Sequence, residues 1–472
     1  MRILLINPPL ESAVSYPGPN QVVMQHDYAP PLGLMSLSAY VKERGYTNLQ
    51  LINGQTPVPI KDSDILRTVR TFQPDVIGIT LSTLIYYNGV RIAELVKKTW
   101  PQACIVVGGP HVTLYPLESA SQPGVDIAVI GEGEETFHEI LQALEKSSDM
   151  DLIPGIVWKQ GQEIMQNAPR RHWKPLDQIP MPDYSLYKTQ FHRVRFDDFA
   201  PTGMIITSRG CPFQCTFCSQ VYREYRERSA ERVVQDMMRL QGLGYRSVGF
   251  WDDTFNLSKQ RVLDICRLIR EENINLPWSF RGRVTGFDEE QARAVKQAGC
   301  IRAHFGVESG TQEMLDKLQK GTTLDQIRSA FALCKRHQIH TMAFFMLGLP
   351  GETVDQAEET IRFAFEIDPD FAVFHTLIPF PGSRIYEDAV KAGAFPDYIR
   401  EFSLHPTPSL DILSWETGMT KKQSYQLLRK ALLRFYFRPS YIFKSLKRIG
   451  SLENFLTKSS TVIRILFRIN CK

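Results

Sequence analysis

The chain has 472 residues, 43% of them hydrophobic and 22% charged, and its formal net charge is +4. This length exceeds what one hydrophobic core sustains, so two or three domains are expected, and the composition excludes a disordered or fibrous chain. The small net charge gives no footprint for nucleic acid. No run of about 18 apolar residues offers a transmembrane helix, and the apolar start meets Pro8 and Pro9 too soon for a secretion signal.

Strand-like and helical patterns alternate from the start: RILLIN, a helical period from Leu34 to Arg44, VIGITL, a helical period from Gly89 to Lys98, and CIVVGG. The rhythm continues through DIAVIGEGEETFHEILQALE, whose loop supplies Gly131 and Gly133 and whose helix opens on Glu134 and Glu135. This alternation predicts a doubly wound, Rossmann-like α/β domain over residues 1–145. Residues 146–202 are rich in proline and aromatic residues, lack a helical period, and are expected to link two domains. A second alternation occupies residues 203–390. Its strands are MIITSRG, SVGFWDD, WSFRGR, IRAHFGVESG, TMAFFMLGLPGE and FAVFHTLIPFPG, and its helical periods run Ala230–Leu243, Gln260–Glu272, Asp288–Gln297, Leu324–His337 and Val354–Ile367. Six strands interleaved with helices predict a partial α/β barrel. Residues 391–472 turn helical and, from Lys421 on, carry about a dozen Lys and Arg with Glu453 as the lone acid.

Eight cysteines in a chain without a secretion signal are poorly explained as a disulfide framework, because cytosolic thiols stay reduced. A cytoplasmic location is expected. Cys104, Cys266, Cys300 and Cys334 fall singly on predicted strands or helices and are expected to pack as small hydrophobes. The segment RGCPFQCTFCS differs, placing Cys211, Cys215 and Cys218 in one loop directly after the first strand of the second alternation. Soft thiolates select iron-sulfur clusters or zinc. Structural zinc takes four protein ligands, and no partner pair follows at zinc-finger spacing. A [4Fe-4S] cluster usually has four cysteine ligands, so three leave one iron open to a small molecule. A structural zinc or a reactive thiol patch is the competing reading.

The C-x3-C-x2-C loop, with Phe217 before its last cysteine, resembles the signature of the radical S-adenosylmethionine (SAM) superfamily. The resemblance implies that Cys211, Cys215 and Cys218 hold a [4Fe-4S] cluster whose open iron binds the amino and carboxylate groups of SAM. Reductive cleavage then gives a 5′-deoxyadenosyl radical, with a one-electron reductant such as flavodoxin or ferredoxin as partner, and Phe217 packs beside the adenine. By the same resemblance, Asp252 and Asp253 stand where the family meets the SAM amino group, although paired acids after a strand also cap helices. Arg281 and Arg283 end the next strand, placed either for the SAM carboxylate or for solvent. Glu308 matches the contact to the ribose, Gly348, Pro350 and Gly351 match the fifth-strand loop beside the adenine, and Pro379 and Gly382 match the sixth-strand loop.

Residues 1–145 resemble the cobalamin-binding domain that precedes the barrel in one large branch of that superfamily, through INPP, PPLGLMSLSAYVKERGY, TLS, VGGPHVT and GEGEETF. The resemblance implies cobalamin at the carboxyl ends of the strands, contacted by Pro8, Leu32, Gly33, Thr80, Ser82, Gly108, Gly109, His111, Gly131, Glu132 and Gly133. The D-x-H-x-x-G motif that supplies a histidine to cobalt is absent. His111 is therefore expected to shape the pocket of the nucleotide tail, leaving cobalt without a histidine from the protein. A Rossmann-like domain that binds no cofactor would show the same pattern. The branch resembled contains methyltransferases and anaerobic magnesium-protoporphyrin ester cyclases. Methylation of a small-molecule, hydrophobic or lipid-like substrate is expected. An oxidative cyclisation, or a non-catalytic protein binding a cluster and cobalamin, is the alternative. The basic amphipathic C-terminal stretch, broken at Pro439, is expected either to dock its apolar face on the barrel or to lie peripherally on the inner face of the membrane.

Overall fold

The structure is a computed structural model that describes residues 1–10, 14–15, 29–56, 58–171, 175–187, 199–219 and 221–447. It divides into two compact units: residues 1–15, 28–193 and 396–411, and residues 16–27, 194–395 and 412–472.

In the first unit, β1 (Ile3–Asn7), β2 (Leu49–Asn53), β3 (Val76–Thr80), β4 (Cys104–Gly108) and β5 (Ile127–Val129) form a parallel sheet in the order β2-β1-β3-β4-β5. β1 is buried at every position, as expected of a strand covered on both faces. Helices α1 (Leu32–Lys42), α2 (Asp62–Phe72), α3 (Tyr86–Thr99), α4 (Pro110–Leu114), α5 (Pro116–Ser121) and α6 (Glu134–Lys146) cross between the strands. Phe137, Ile140 and Leu141 of α6 enter the same core as Leu5 and Val76.

The expected domain boundary at residue 145 is corrected here. β6 (Ile156–Gln160) and β7 (Glu163–Gln166) form a hairpin that adds antiparallel strands beyond β5, so residues expected to be a linker extend the sheet. Their pattern is hard to read because β7 is an almost wholly exposed edge.

In the second unit, β8 (Thr202–Ile205), β9 (Ser247–Phe250), β10 (Trp278–Gly282), β11 (Cys300–Glu308), β12 (His340–Leu347) and β13 (Phe371–Thr376) form one parallel sheet in chain order. Helices α7 (Ala230–Gly242), α8 (Lys259–Glu271), α9 (Glu289–Gln297), α10 (Gln312–Lys317), α11 (Leu324–Arg336) and α12 (Val354–Ile367) separate the strands, and α13 (Arg384–Lys391) follows the last. Their starts are written locally: Thr323 with Gln326 and Thr353 with Gln356 form capping boxes.

The tail is not one segment. α14 (Tyr398–Leu404) belongs to the first unit, whereas α15 (Lys421–Tyr436) and α16 (Pro439–Lys447) belong to the second. Phe435 of α15 packs on Phe374 of β13, so this apolar face docks within its own unit, as one of the two expectations had it. The residues beyond 447 lie outside the described ones. Among the described residues, no helix is long and apolar enough to cross a membrane.

Candidate active site

The cysteine loop leaves β8 and is shaped by backbone geometry. Gly210 has φ +83°, and a Cβ there would collide with the carbonyl of Glu224, so glycine is required. The Cys211 amide donates to the Tyr222 carbonyl at 3.1 Å and that of Cys218 to the Cys215 carbonyl at 3.1 Å. The Thr216 amide donates to Leu318 O and its carbonyl accepts from Ile385 N, each at 2.9 Å. Cys215 is buried and Cys211 and Cys218 are partly exposed, all three free thiols. Among the described residues no three His, Cys, Asp or Glu side chains are gathered as a single-ion site. Three soft donors on one short loop fit an iron-sulfur cluster.

Arg283 follows β10 and is buried. Its Nη1 donates to Cys215 Sγ at 3.6 Å, and Nη2 donates to the Lys320 carbonyl and, at 3.4 Å, to Thr322 Oγ1. Its guanidinium sits 3.7 Å from the Phe213 ring centroid. Thr254 Oγ1 lies 3.6 Å from Cys211 Sγ.

Glu308 ends β11 at φ +69°, beside an irregularity in the pairing with β12. Such a conformation costs a non-glycine residue about 1–3 kcal/mol and gathers at functional sites. Its carboxylate pairs with Lys320 Nζ at 2.8 Å, both side chains being buried. Gly306 leaves the space, since a Cβ there would collide with both partners. Lys320 Nζ also lies 5.7 Å from the Phe217 ring centroid. Phe217 in turn packs on Leu318, Leu349 and Leu377, which joins the cysteine loop to the loops after β12 and β13.

In the loop after β12, Gly348 has φ +75° and Pro350 is half-buried. Glu352 is fully buried, and its Oε2 accepts from the amides of Gly348 at 2.7 Å and Leu349 at 3.1 Å. Among the described residues its Oε1 has no hydrogen-bond partner, and burial pushes its pKa up to about 7. Pro379, after β13, is buried, and Gly382 has φ +80°.

Two expected SAM contacts are placed differently. Asp252 is buried and accepts from Thr207 N at 2.6 Å, Thr207 Oγ1 at 2.5 Å and Ser208 Oγ at 2.7 Å. Burial pushes its pKa up while those hydrogen bonds and the Arg261 charge pull it down. It straps the root of the cysteine loop, leaving the exposed Asp253 as the acid facing outward. Arg281 stacks 3.8 Å from the Trp251 ring centroid, whereas Arg283 is the arginine in contact with Cys215.

In the first unit, the expected cobalamin residues mark the carboxyl ends of the strands. Thr80, Ser82, Gly108, Gly131, Glu132 and Gly133 are partly exposed there, as is Leu32, while Gly33 is exposed and Pro8 buried. Gly109 is demanded by the fold itself: at φ +112° a Cβ would lie 2.7 Å from the Leu81 carbonyl. His111 is fully buried, with Nδ1 3.0 Å from Thr83 Oγ1 and Nε2 2.9 Å from Ser403 Oγ. Burial lowers its pKa to about 3. With both ring nitrogens committed it is a core residue, neither a cobalt ligand nor an open pocket wall, and its expected cofactor contact is corrected.

Lys320, Phe213 and Thr254 escaped sequence reasoning. Phe213 sits at a variable position inside the cysteine motif, and Thr254 and Lys320 stand outside any motif. Lys320 follows Glu308 by a whole helix, and only the fold brings them together.

Comparison with known proteins agrees with this geometry. The radical SAM superfamily matches residues 205–364 and the B12 binding domain residues 25–141. An uncharacterized methyltransferase of Pyrococcus horikoshii is 35% identical over 451 residues, covering 94% of this chain and 95% of the relative. The anaerobic magnesium-protoporphyrin IX monomethyl ester cyclase of Rubrivivax gelatinosus is 28% identical over 407 residues, 82% of this chain and 70% of the relative. The cobalamin-dependent SAM radical enzyme OxsB, with aqua-cobalamin and SAM bound, superposes with a TM-score of 0.72 at 18% identity, over 99% of this chain and 71% of that one. TsrM from Kitasatospora setae, with cobalamin and a [4Fe-4S] cluster bound, gives 0.67 at 19%, over 83% and 78%. A cysteine loop on a partial barrel, in one chain with a B12 domain, defines a radical SAM enzyme. The chain belongs to the cobalamin-dependent radical SAM methyltransferase family, which includes cyclase relatives, and its cofactors are a [4Fe-4S] cluster, SAM and cobalamin.

Proposed function

We propose that the chain transfers a methyl group to a carbon of a small organic substrate. The observation that carries this is the set of contacts around the cysteine loop, with Arg283 on Cys215 and the pair Glu308 and Lys320 against Phe217. When bound, the cluster supplies the electron that cleaves SAM and cobalamin supplies a methyl carrier. Cys211, Cys215 and Cys218 hold the cluster, and Arg283 positions Cys215 through its contact to Sγ. Glu308 and Lys320 bind the polar groups of SAM, while Phe217, Gly348 and Pro350 enclose its adenine and Pro379 closes that side. Asp253 takes the amino group. Leu32, Gly33, Thr80, Ser82, Gly108, Gly131, Glu132 and Gly133 would line the cobalamin site. A flavodoxin or ferredoxin serves as reductant in the cytoplasm. The exposed Ile442 and Phe443 of α16, preceding a basic stretch, offer a peripheral membrane contact whose test is binding to anionic liposomes at physiological salt.

The test is anaerobic reconstitution with iron, sulfide and hydroxocobalamin. About four irons per chain, bound cobalamin and 5′-deoxyadenosine are expected in the wild type, and neither full iron nor 5′-deoxyadenosine in Cys215→Ala. Incorporation of label from methyl-deuterated SAM into substrate supports methylation. The cyclase relatives favour ring closure as the second reading, for which oxygen from labelled water enters the product instead. A wild-type chain without iron refutes both.

A further inference from the structure

The radical SAM match ends at residue 364, but the loop after β12 is completed by residues 412–424 of the same unit. The Gly351 amide donates to both the carbonyl and the hydroxyl of Thr417, each at 2.9 Å. Gly418 has φ +143°, and a Cβ there would lie 2.6 Å from the Glu352 carbonyl oxygen. On the other side, a Cβ on Gly348 would lie 2.7 Å from Ser424 Oγ. Glycine is what lets the two stretches approach this closely. Ile412 and Met419 bury the ends of the segment, and Lys421 Nζ donates to the Ile412 carbonyl at 3.3 Å. The capping box of Thr420 and Gln423 starts α15 directly behind, so the segment is anchored on a helix of the same unit.

Trp415 lies in the middle of this anchored segment. It packs on the buried cluster around Leu318, Leu349 and Leu377, the cluster on which Phe217 of the cysteine loop also packs. The Leu318 carbonyl accepts from the Thr216 amide at 2.9 Å, which ties the cluster to the cysteine loop through the backbone as well. An indole is the largest apolar side chain a residue can bring to such a contact. Removing it leaves a hole beside Leu349, next to Gly348, and loosens the surface against which Phe217 rests.

We propose that Trp415 is a positioning residue for the adenosyl half of SAM, acting through Phe217 and the backbone of the loop after β12. The half of SAM that meets iron is held by the cysteine-bound cluster and does not depend on it. The inference rests on the reading that Phe217 and Gly348 enclose the adenine.

The test uses Trp415→Ala, Trp415→Phe and Gly418→Ala in the full chain, reconstituted anaerobically and titrated with SAM in a calorimeter. Trp415→Ala and Gly418→Ala are each expected to weaken SAM binding about tenfold or more, while Trp415→Phe stays within about threefold of wild type. Iron content is unchanged in all three. At saturating SAM the reduced cluster of each variant gives the electron paramagnetic resonance spectrum of the SAM-bound wild type, a signature that general loosening of the fold would not preserve. Wild-type affinity in Trp415→Ala overturns the proposal. So does iron loss or an altered spectrum at saturation in both Trp415→Ala and Gly418→Ala, either of which puts the effect on the cluster instead. The wild type is measured first: without iron, or with iron but no SAM binding, it overturns the radical SAM reading itself.

Discussion

Lys320 is the most consequential single residue that motif reading passes over. A buried ammonium and carboxylate are stable only as a pair, and removing one partner leaves an uncompensated charge that costs about 3–5 kcal/mol. Lys320→Met should therefore weaken SAM binding at least tenfold, with Glu308→Gln close behind, as measured by titration of the cluster-loaded chain. Wild-type affinity in both would remove the pair from the site. Glu352 makes a pH prediction. Its ordinary pKa of 4.5 rises to about 7 in the fold because the carboxylate is buried. The protonated form is favoured by folding, so this contribution is complete below pH 4.5 and is lost as pH rises through 7, a span of about 3 kcal/mol. Glu352→Gln keeps an acceptor for the Gly348 and Leu349 amides and does not ionise. Its denaturation midpoint should change less than that of the wild type between pH 5 and 8. Parallel pH profiles would refute the assignment.

Elements with strong period and clear caps were legible in the sequence. The span Val354–Ile367 matches the structure at both ends, and Leu324 opens α11 where expected, because capping boxes mark both starts. β2, β7 and the short α4 and α5 were not separated, since an edge strand lacks two-sided burial and helices of five or six residues show no period. The cysteines were legible because their spacing is local. The contacts of Asp252, Arg281 and His111 were not legible, because which way a side chain turns depends on tertiary partners, here Thr207, Trp251 and Ser403. The cysteine loop itself carries a prediction at this scale. Gly210→Ala places a Cβ against the Glu224 carbonyl in a left-handed backbone. Iron content should fall to less than half of wild type while the far-ultraviolet spectrum is kept, and full iron loading would show that the loop adapts.

Across the whole molecule, chain order and unit membership part company at Pro396, where sixteen or so residues return to the first unit. Their contribution is polar, buried at Ser403 and exposed at Arg400. The Ser403 carbonyl accepts from Tyr86 Oη at 2.9 Å and Gln122 Nε2 at 2.8 Å, its hydroxyl meets His111 Nε2, and Arg400 pairs with Glu118 at 2.7 Å. Without this segment Tyr86, Gln122 and His111 each lose a partner in the interior, at about 1–3 kcal/mol apiece. A fragment of residues 1–193 is therefore expected to unfold at lower temperature than the same fragment joined through a flexible linker to residues 396–411. The difference should narrow as pH falls: burial lowers the His111 pKa to about 3, so its neutral form stabilises the joined fragment fully above pH 6.5 and progressively less toward 3, whereas a less covered His111 in the short fragment loses less. Cobalamin binding by the joined fragment, followed by absorbance, should exceed that of the shorter one. Equal melting temperatures for the two would mean that α14 merely lies against this unit, and that the sheet and its loops hold their shape without it.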